Sequence, residues 1–200
     1  MTDVIDSLRD LTVAILCRRG STGDELIQQV NRIGCPVESY WPVPETLPDK
    51  VNLLFAEVND ESQSELHSML QRPRKVPLTL IAVISYENPS VLSAMQKIGA
   101  HAVVTKPLRA AGVLSAMVMA RHQWAQQCRF SQSLEKLRNR LESLQKVNDA
   151  KFILMRHRNI DDKEAYLIIR KQAMSKRTTT IEIAQSIINA DGILRDFKAD

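Results

Sequence analysis

The sequence predicts an α/β fold: a five-stranded parallel sheet covered by helices on both faces, then a long coiled-coil helix and a C-terminal three-helix bundle. Three observations predict it. Short Val/Ile/Leu-rich runs alternate with helix-length segments through the first half of the chain, as strands buried on both faces require. From Arg109 the turn signals vanish for about forty residues, longer than an ordinary globular helix. The last stretch, of about fifty residues, then carries clear helix-entry signals.

The strand segments are Leu11–Cys17, Val37–Trp41, Val51–Ala56, Leu78–Ile84 and Ala102–Thr105, read as five βα units. Each is read as a brief Val/Ile/Leu-rich run, as a doubly buried strand requires. Asp24–Ile33, Ser62–Leu70 and Ser90–Ile98 carry apolar residues at helical spacing, and Gly34 and Gly99 follow two of them, where a left-handed cap is cheapest for glycine. In the long helix, Phe130, Leu134, Leu137, Leu141 and Leu144 recur in steps of four and three, the alternation of a left-handed coiled coil. The next seam position is Asn148; a buried Asn there favours a parallel two-stranded register, hence a homodimer. The flanking positions offer no opposite-charge pairs, and packing of the stripe on the chain's own globular parts is the competing reading.

Asp161 with Glu164, and Thr179 with Glu182, have the spacing of capping boxes that open helices near Asp162–Ser175 and Thr180–Ile188. Ala165, Ile169 and Ala173 mark the inward face of the first, and Ile181, Ala184 and Ile188 that of the second. With Ala150–Arg156 they form the bundle. The domain boundaries are therefore 1–122 for the sheet domain, 123–148 for the dimerisation helix and 149–200 for the bundle.

Composition narrows the function. The chain has 200 residues, 44% of them hydrophobic and 25% charged, an ordinary globular mix that excludes wholesale disorder. Neither G-x-x-x-x-G-K-[ST] nor G-x-G-x-x-G occurs, which removes two kinds of nucleotide-cradling loop. Cys17, Cys35 and Cys128 lie far apart, and the four histidines form no close pair, so no metal, cofactor or disulfide framework is expected. No signal-peptide pattern opens the chain and no run is long enough to span a bilayer, so a cytoplasmic location without membrane attachment is expected. Charge is uneven. Residues 1–120 hold 11 Lys and Arg against 13 Asp and Glu, whereas residues 121–200 hold 16 against 10. The excess peaks between Lys151 and Arg177, where a polyanion is the natural partner and a solvated helix surface the plain alternative.

Ala150-Lys151-x-x-Leu154-Met155, Glu164-Ala165-Tyr166, Arg170, Ala173-Met174, Arg177 and Ala184 closely resemble the ANTAR domain, a three-helix RNA-binding module of bacterial transcription antiterminators. In the order of its parts, and in Arg32-Ile33-Gly34-Cys35 and Trp41-Pro42-x-Pro44, the whole chain resembles the antiterminators of amidase operons. The sheet domain is similar to the receiver domain of response regulators, a flavodoxin-like fold. A receiver needs an acidic pair after the first strand for Mg²⁺, a phosphate-accepting Asp after the third, a Ser or Thr after the fourth and a Lys after the fifth. Ser85 and Lys106 match. Cys17, Arg18 and Arg19 stand where the acidic pair belongs, and Glu57 takes the acceptor position. These departures imply a pseudo-receiver that is not phosphorylated, with a Glu57–Lys106 ion pair as a fixed contact.

The resemblance implies a regulator that binds stem-loops in leader mRNA and prevents a terminator hairpin from forming. Lys151, Arg158, Arg170, Lys171, Lys176 and Arg177 are the expected phosphate or base contacts. Tyr166 is a stacking surface or, equally, a core residue with a tethered hydroxyl. Control is expected from a cytoplasmic ligand-sensing protein of periplasmic-binding-protein fold that sequesters the regulator. The alternative is a DNA-binding response regulator, since a basic helix also suits a major groove. No nucleophile–base or paired-carboxylate arrangement falls at a strand end, so an enzyme is disfavoured.

Overall fold

A computed structural model describes residues 8–18, 20–59 and 61–196. The chain divides into two compact units, residues 1–128 and 129–200. In the first unit the elements run β1 (Val13–Leu16), α1 (Ser21–Ile33), β2 (Val37–Tyr40), β3 (Leu53–Glu57), α2 (Gln63–Leu70), β4 (Thr79–Ile84), α3 (Pro89–Ile98) and β5 (Ala102–Thr105). Helix α4 (Ala110–Arg158) begins in this unit and continues into the second, where α5 (Asp162–Lys176) and α6 (Thr180–Asp196) follow.

The sheet is parallel throughout, in the order β2-β1-β3-β4-β5. Val13, Ala14, Ile15 and Leu16 pair with Leu53, Leu54, Phe55 and Ala56 in register. Because side chains alternate along a strand, the same few residues build two cores. Val13, Ile15, Leu53, Phe55, Ile81 and Val83 face α1 and the start of α4. Ala14, Leu16, Leu54, Ala56, Ala82 and Ile84 face α2 and α3. This double burial is why the three central strands β1, β3 and β4 are apolar runs. The edge strands differ from the expectation: β2, Val-Glu-Ser-Tyr, and β5 are partly exposed, because each has a neighbour on one side only.

Gly34 and Gly99 adopt φ of 98° and 67°, closing α1 and α3 in the left-handed conformation that the spacing predicted. Between β2 and β3 the expected βα unit is missing. Residues 41–52 contain no helix, because Pro42, Pro44 and Pro48 withhold the N–H donors a helix would need. Arg74 pins that connection instead, donating to the carbonyls of Leu47, Pro48 and Val51 at 3.0 Å each.

At the N-terminal edge of β4 and β5, Arg121 donates to buried Thr79 Oγ1 at 2.9 Å and lies 4.1 Å over the Trp124 ring. His101 Nδ1 accepts from the Leu80 N–H at 3.0 Å. Cys35 is buried and donates to Leu8 O, and burial pushes its thiol up. Among the described residues no helix is long and apolar enough to cross a membrane.

In the second unit, Ala150, Ile169, Ala173, Ile183 and Ala184 form the core, with Val147, Leu154, Ile187 and Ile188 packed on it. Three of the five are alanines, which lets the helix backbones approach closely. The inward face of α5 is as expected, with Ala165 also buried. That of α6 is not: Ile181 is exposed, and Ile183 takes its place beside Ala184. The buried stripe runs through 183, 184, 187, 188 and 191, and Ile181 falls to one side of it in the first turn. Helix α6 also continues past Ile188 to Asp196, since no proline or glycine cap stops it there.

Candidate nucleic-acid interface

Local sequence sets the shape of this surface. Helix α4 ends at Arg158, and Asn159 turns the chain at a φ of 54°. The Asp161 carboxylate then caps α5 by accepting the Glu164 N–H at 2.7 Å. Thr179 Oγ1 does the same for α6, accepting from Glu182 N at 3.2 Å. Both are the N-caps that the sequence spacing implies. Arg177 closes α5 in the left-handed conformation, at a φ of 50°. A cation there complements the negative end of the helix dipole and stays at the surface.

With Ala165, Ile169 and Ala173 turned inward, the opposite face of α5 carries Lys163, Leu167, Arg170, Met174 and Arg177 in steps of four and three. Cations and apolar side chains therefore alternate along one exposed line. Leu167 and Met174 are 58% and 71% exposed, so apolar groups stand open to a ligand between the cations. Lys171, Lys176 and Arg158 are also exposed. Tyr166 lies exposed at the edge of this face, and its hydroxyl has no partner among the described residues.

Two of the basic residues are engaged within the unit. Lys151 is only 16% exposed and pairs with Asp162 at 2.6 Å, joining the end of α4 to the first turn of α5. Arg156 donates to both oxygens of buried Asp191, at 2.7 and 3.0 Å, while His157 Nε2 lies 2.8 Å from the same carboxylate. Of the expected contact residues, then, six are exposed and Lys151 is held. The expected contact set did not include Lys163, Leu167 and Met174, although Lys163, Arg170 and Arg177 stand seven residues apart in the sequence. It also omitted Phe152, which lies exposed on the last turns of α4 and gives no signal in spacing.

On α4, Phe130, Leu134, Leu137, Leu141 and Leu144 are all exposed, and so is Asn148. Among the described residues of the second unit nothing covers this stripe.

The receiver-like site lies at the C-terminal ends of the strands. Glu57 ends β3, Lys106 follows β5 and Ser85, exposed, follows β4. Lys106 Nζ pairs with Glu57 Oε1, and the Arg18 N–H donates to Glu57 Oε2 at 3.0 Å. Both carboxylate oxygens are therefore taken by this chain's own donors. Cys17 is buried beside them, and burial, then the Glu57 charge, pushes its thiol up to about 12, so it stays protonated. A neutral thiol and an arginine are not hard oxygen ligands, so the residues present do not fit the Mg²⁺ that receivers hold. Arg19 lies outside the described residues. Among those described, no group of three or more His, Cys, Asp and Glu could hold a metal.

Two family models match the chain: AmiR, N-terminal, over residues 11–121, and the ANTAR domain over residues 135–188. An aliphatic amidase regulator from Pseudomonas aeruginosa is 32% identical over 185 residues, covering 92% of this chain and 94% of that protein. Among solved structures, the response regulator StyR matches with a TM-score of 0.51 at 15% identity, over 90% of this chain and 99% of its own, a likeness of fold alone. A receiver-like parallel sheet, joined by a long helix to the helical unit that the ANTAR model matches, is what these comparisons cover. The chain belongs to the AmiR family of ANTAR-domain regulators.

Proposed function

We propose that this chain is an RNA-binding transcription antiterminator, which grips hairpin loops in nascent leader mRNA and keeps the terminator hairpin from forming. The observation that carries the reading is the outward face of α5, where Lys163, Arg170 and Arg177 alternate with exposed Leu167 and Met174 inside an ANTAR match. Cations hold a phosphate backbone, and flat or flexible apolar groups between them suit bases that splay out of a loop. Arg158, Tyr166, Lys171 and Lys176 extend the surface; Lys151 acts by positioning α5 through Asp162.

The exposed Phe130 to Leu144 stripe with Asn148 supports a parallel coiled-coil homodimer. Two bundles on one seam would engage two neighbouring loops and gain affinity by chelation. The occupied Glu57 carboxylate supports control by protein contact without phosphorylation. A cytoplasmic ligand-sensing partner of periplasmic-binding-protein fold, implied by the family, would hold the regulator silent. The reading involves no catalysis.

Gel shifts with a two-loop leader RNA and with duplex DNA, at a stated salt of about 150 mM, test the central point. RNA preference is expected, with Arg170→Ala lowering the salt slope by about 1. Preference for the duplex would favour the DNA-binding response-regulator reading instead. Leu137→Asp should convert a dimer to a monomer in sedimentation, and a dimer that survives it lies elsewhere. Antitermination that is the same with and without the neighbouring sensor protein would remove sequestration.

A further inference from the structure

The end of α4 and the last turns of α6 enclose a groove of about 610 Å³ that the cationic face of α5 does not account for. One wall carries Asp149, Phe152, Ile153 and Arg156; the other carries Ile188, Gly192 and Asp191, whose carboxylate is taken by Arg156 and His157. We propose that this groove is a pocket for one unstacked guanine of the RNA loop, a proposal that rests on the RNA-binding reading above.

Phe152 is the first argument. It is 66% exposed, although the helix it sits on packs Ala150 and Leu154 into the bundle. The coiled-coil seam does not claim it. After Asn148 the next seam position is Lys151, and that side chain is tied to Asp162. An aromatic face left open at the mouth of a groove in a cationic unit is a stacking platform for any base.

Gly192 is the second. Built with a Cβ, it would meet nothing within 4 Å, so the wall opposite Phe152 stands open for lack of a side chain. Its backbone is helical, so no turn requires glycine there.

Asp149 selects the base. It lies one turn before Phe152 on the same wall, and among the described residues it has no hydrogen-bond or ion-pair partner. Residues 129–200 hold 15 Lys and Arg against 10 Asp and Glu, so a polyanion is drawn to the unit as a whole. A carboxylate is the wrong group for a phosphate and accepts only, through two oxygens. Among the four bases, guanine alone offers two adjacent donors, N1–H and the 2-amino group, on its Watson–Crick edge. Arg156 is fixed at the rim by its bonds to Asp191 and remains half exposed, placed for the phosphate or O6 of the same nucleotide. An apolar side chain of a protein partner would use Phe152 and the isoleucines but leave Asp149 unpaired, which favours the base.

The test uses the full-length chain and a hairpin RNA whose loop guanines are replaced one at a time by inosine, which lacks the 2-amino donor. At one position inosine should weaken binding by about tenfold, and Asp149→Asn should abolish that difference. Phe152→Ala and Gly192→Leu, which removes the platform or fills the groove, should each weaken binding by about tenfold or more. Leucine is the better helix former, so an unchanged melting curve separates blocking from unfolding. If all three variants bind as the parent chain does while Arg170→Ala loses RNA, the pocket is wrong and the RNA reading stands. Inosine tolerated at every position overturns the guanine assignment. A Gly192→Leu variant that binds RNA normally but escapes a protein inhibitor assigns the groove to protein and overturns the proposal. If the unmodified chain binds no RNA, both fall.

Discussion

Replacing Lys106 by Met tests whether the receiver-like site is held shut by its own ion pair. Methionine keeps the apolar stem and removes the charge, leaving Glu57, 12% exposed, with only the Arg18 N–H. Removing one partner of a fully buried pair costs about 3–5 kcal/mol. An exposed pair is worth under about 1 kcal/mol. With side chains 22% and 12% exposed, the pair lies between these limits, and we expect a loss of about 2 kcal/mol for Lys106→Met. Glu57→Gln, which keeps an acceptor for Arg18, should cost about 1.5 kcal/mol, and the double variant no more than about 2 kcal/mol. The coupling is then about 1.5 kcal/mol. Both tryptophans, Trp41 and Trp124, belong to the first unit, so their fluorescence in urea follows its unfolding without interference from the bundle. Single losses that add to within about 0.5 kcal/mol would refute the reasoning, because the pair would then hold nothing. Stable labelling of Glu57 by acetyl phosphate with Mg²⁺ would refute it from the chemical side.

Ile169→Ala empties the centre of the bundle and should cost about 2–5 kcal/mol; helical circular dichroism should fall before tryptophan fluorescence changes, and coincident transitions would contradict the two-unit division. Asp161→Ala removes the N-cap of α5 and should cost about 1 kcal/mol, read as a lower melting midpoint of the same helical signal, while Asp161→Asn should not. Burial depresses the His101 pKa, and the Arg121 charge adds to this. The unfolded chain then binds the proton more readily, so His101 contributes stability that is present above its ordinary value of 6.5 and lost as the pH falls below it. Urea midpoints should drop between about pH 7.5 and pH 5.5, and less so in His101→Gln; equal drops would count against this assignment.

The parallel sheet was legible because strands buried on both faces are written as unbroken apolar runs, and because Gly34 and Gly99 mark helix ends that few other residues tolerate. The N-caps at Asp161 and Thr179 were legible for the same reason: a cap is a local hydrogen bond between residues three apart. What escaped depends on partners distant in sequence. Lys151 reads as one more cation until α5 brings Asp162 to it. Ile181 and Ile183 are equally apolar, and only the direction from which α4 and α5 approach decides which of them is buried. The exposure of Phe152 and the gap at Gly192 belong to the space between two helices, which no periodicity in either one records. The missing helix before β3 could have been read, since three prolines crowd that connection.

The three cysteines divide by reactivity. Cys17 and Cys35 are buried with raised pKa values, whereas Cys128 is partly exposed near the middle of α4. A maleimide dye added at neutral pH should therefore attach at one place in the unaltered chain, with no cysteine-stripped background to prepare. That place is one helical turn from Trp124, whose indole quenches many such dyes on contact. Brightening of the dye would then report fraying of α4 just where the first unit gives way to the second, and could be followed as leader RNA is titrated in.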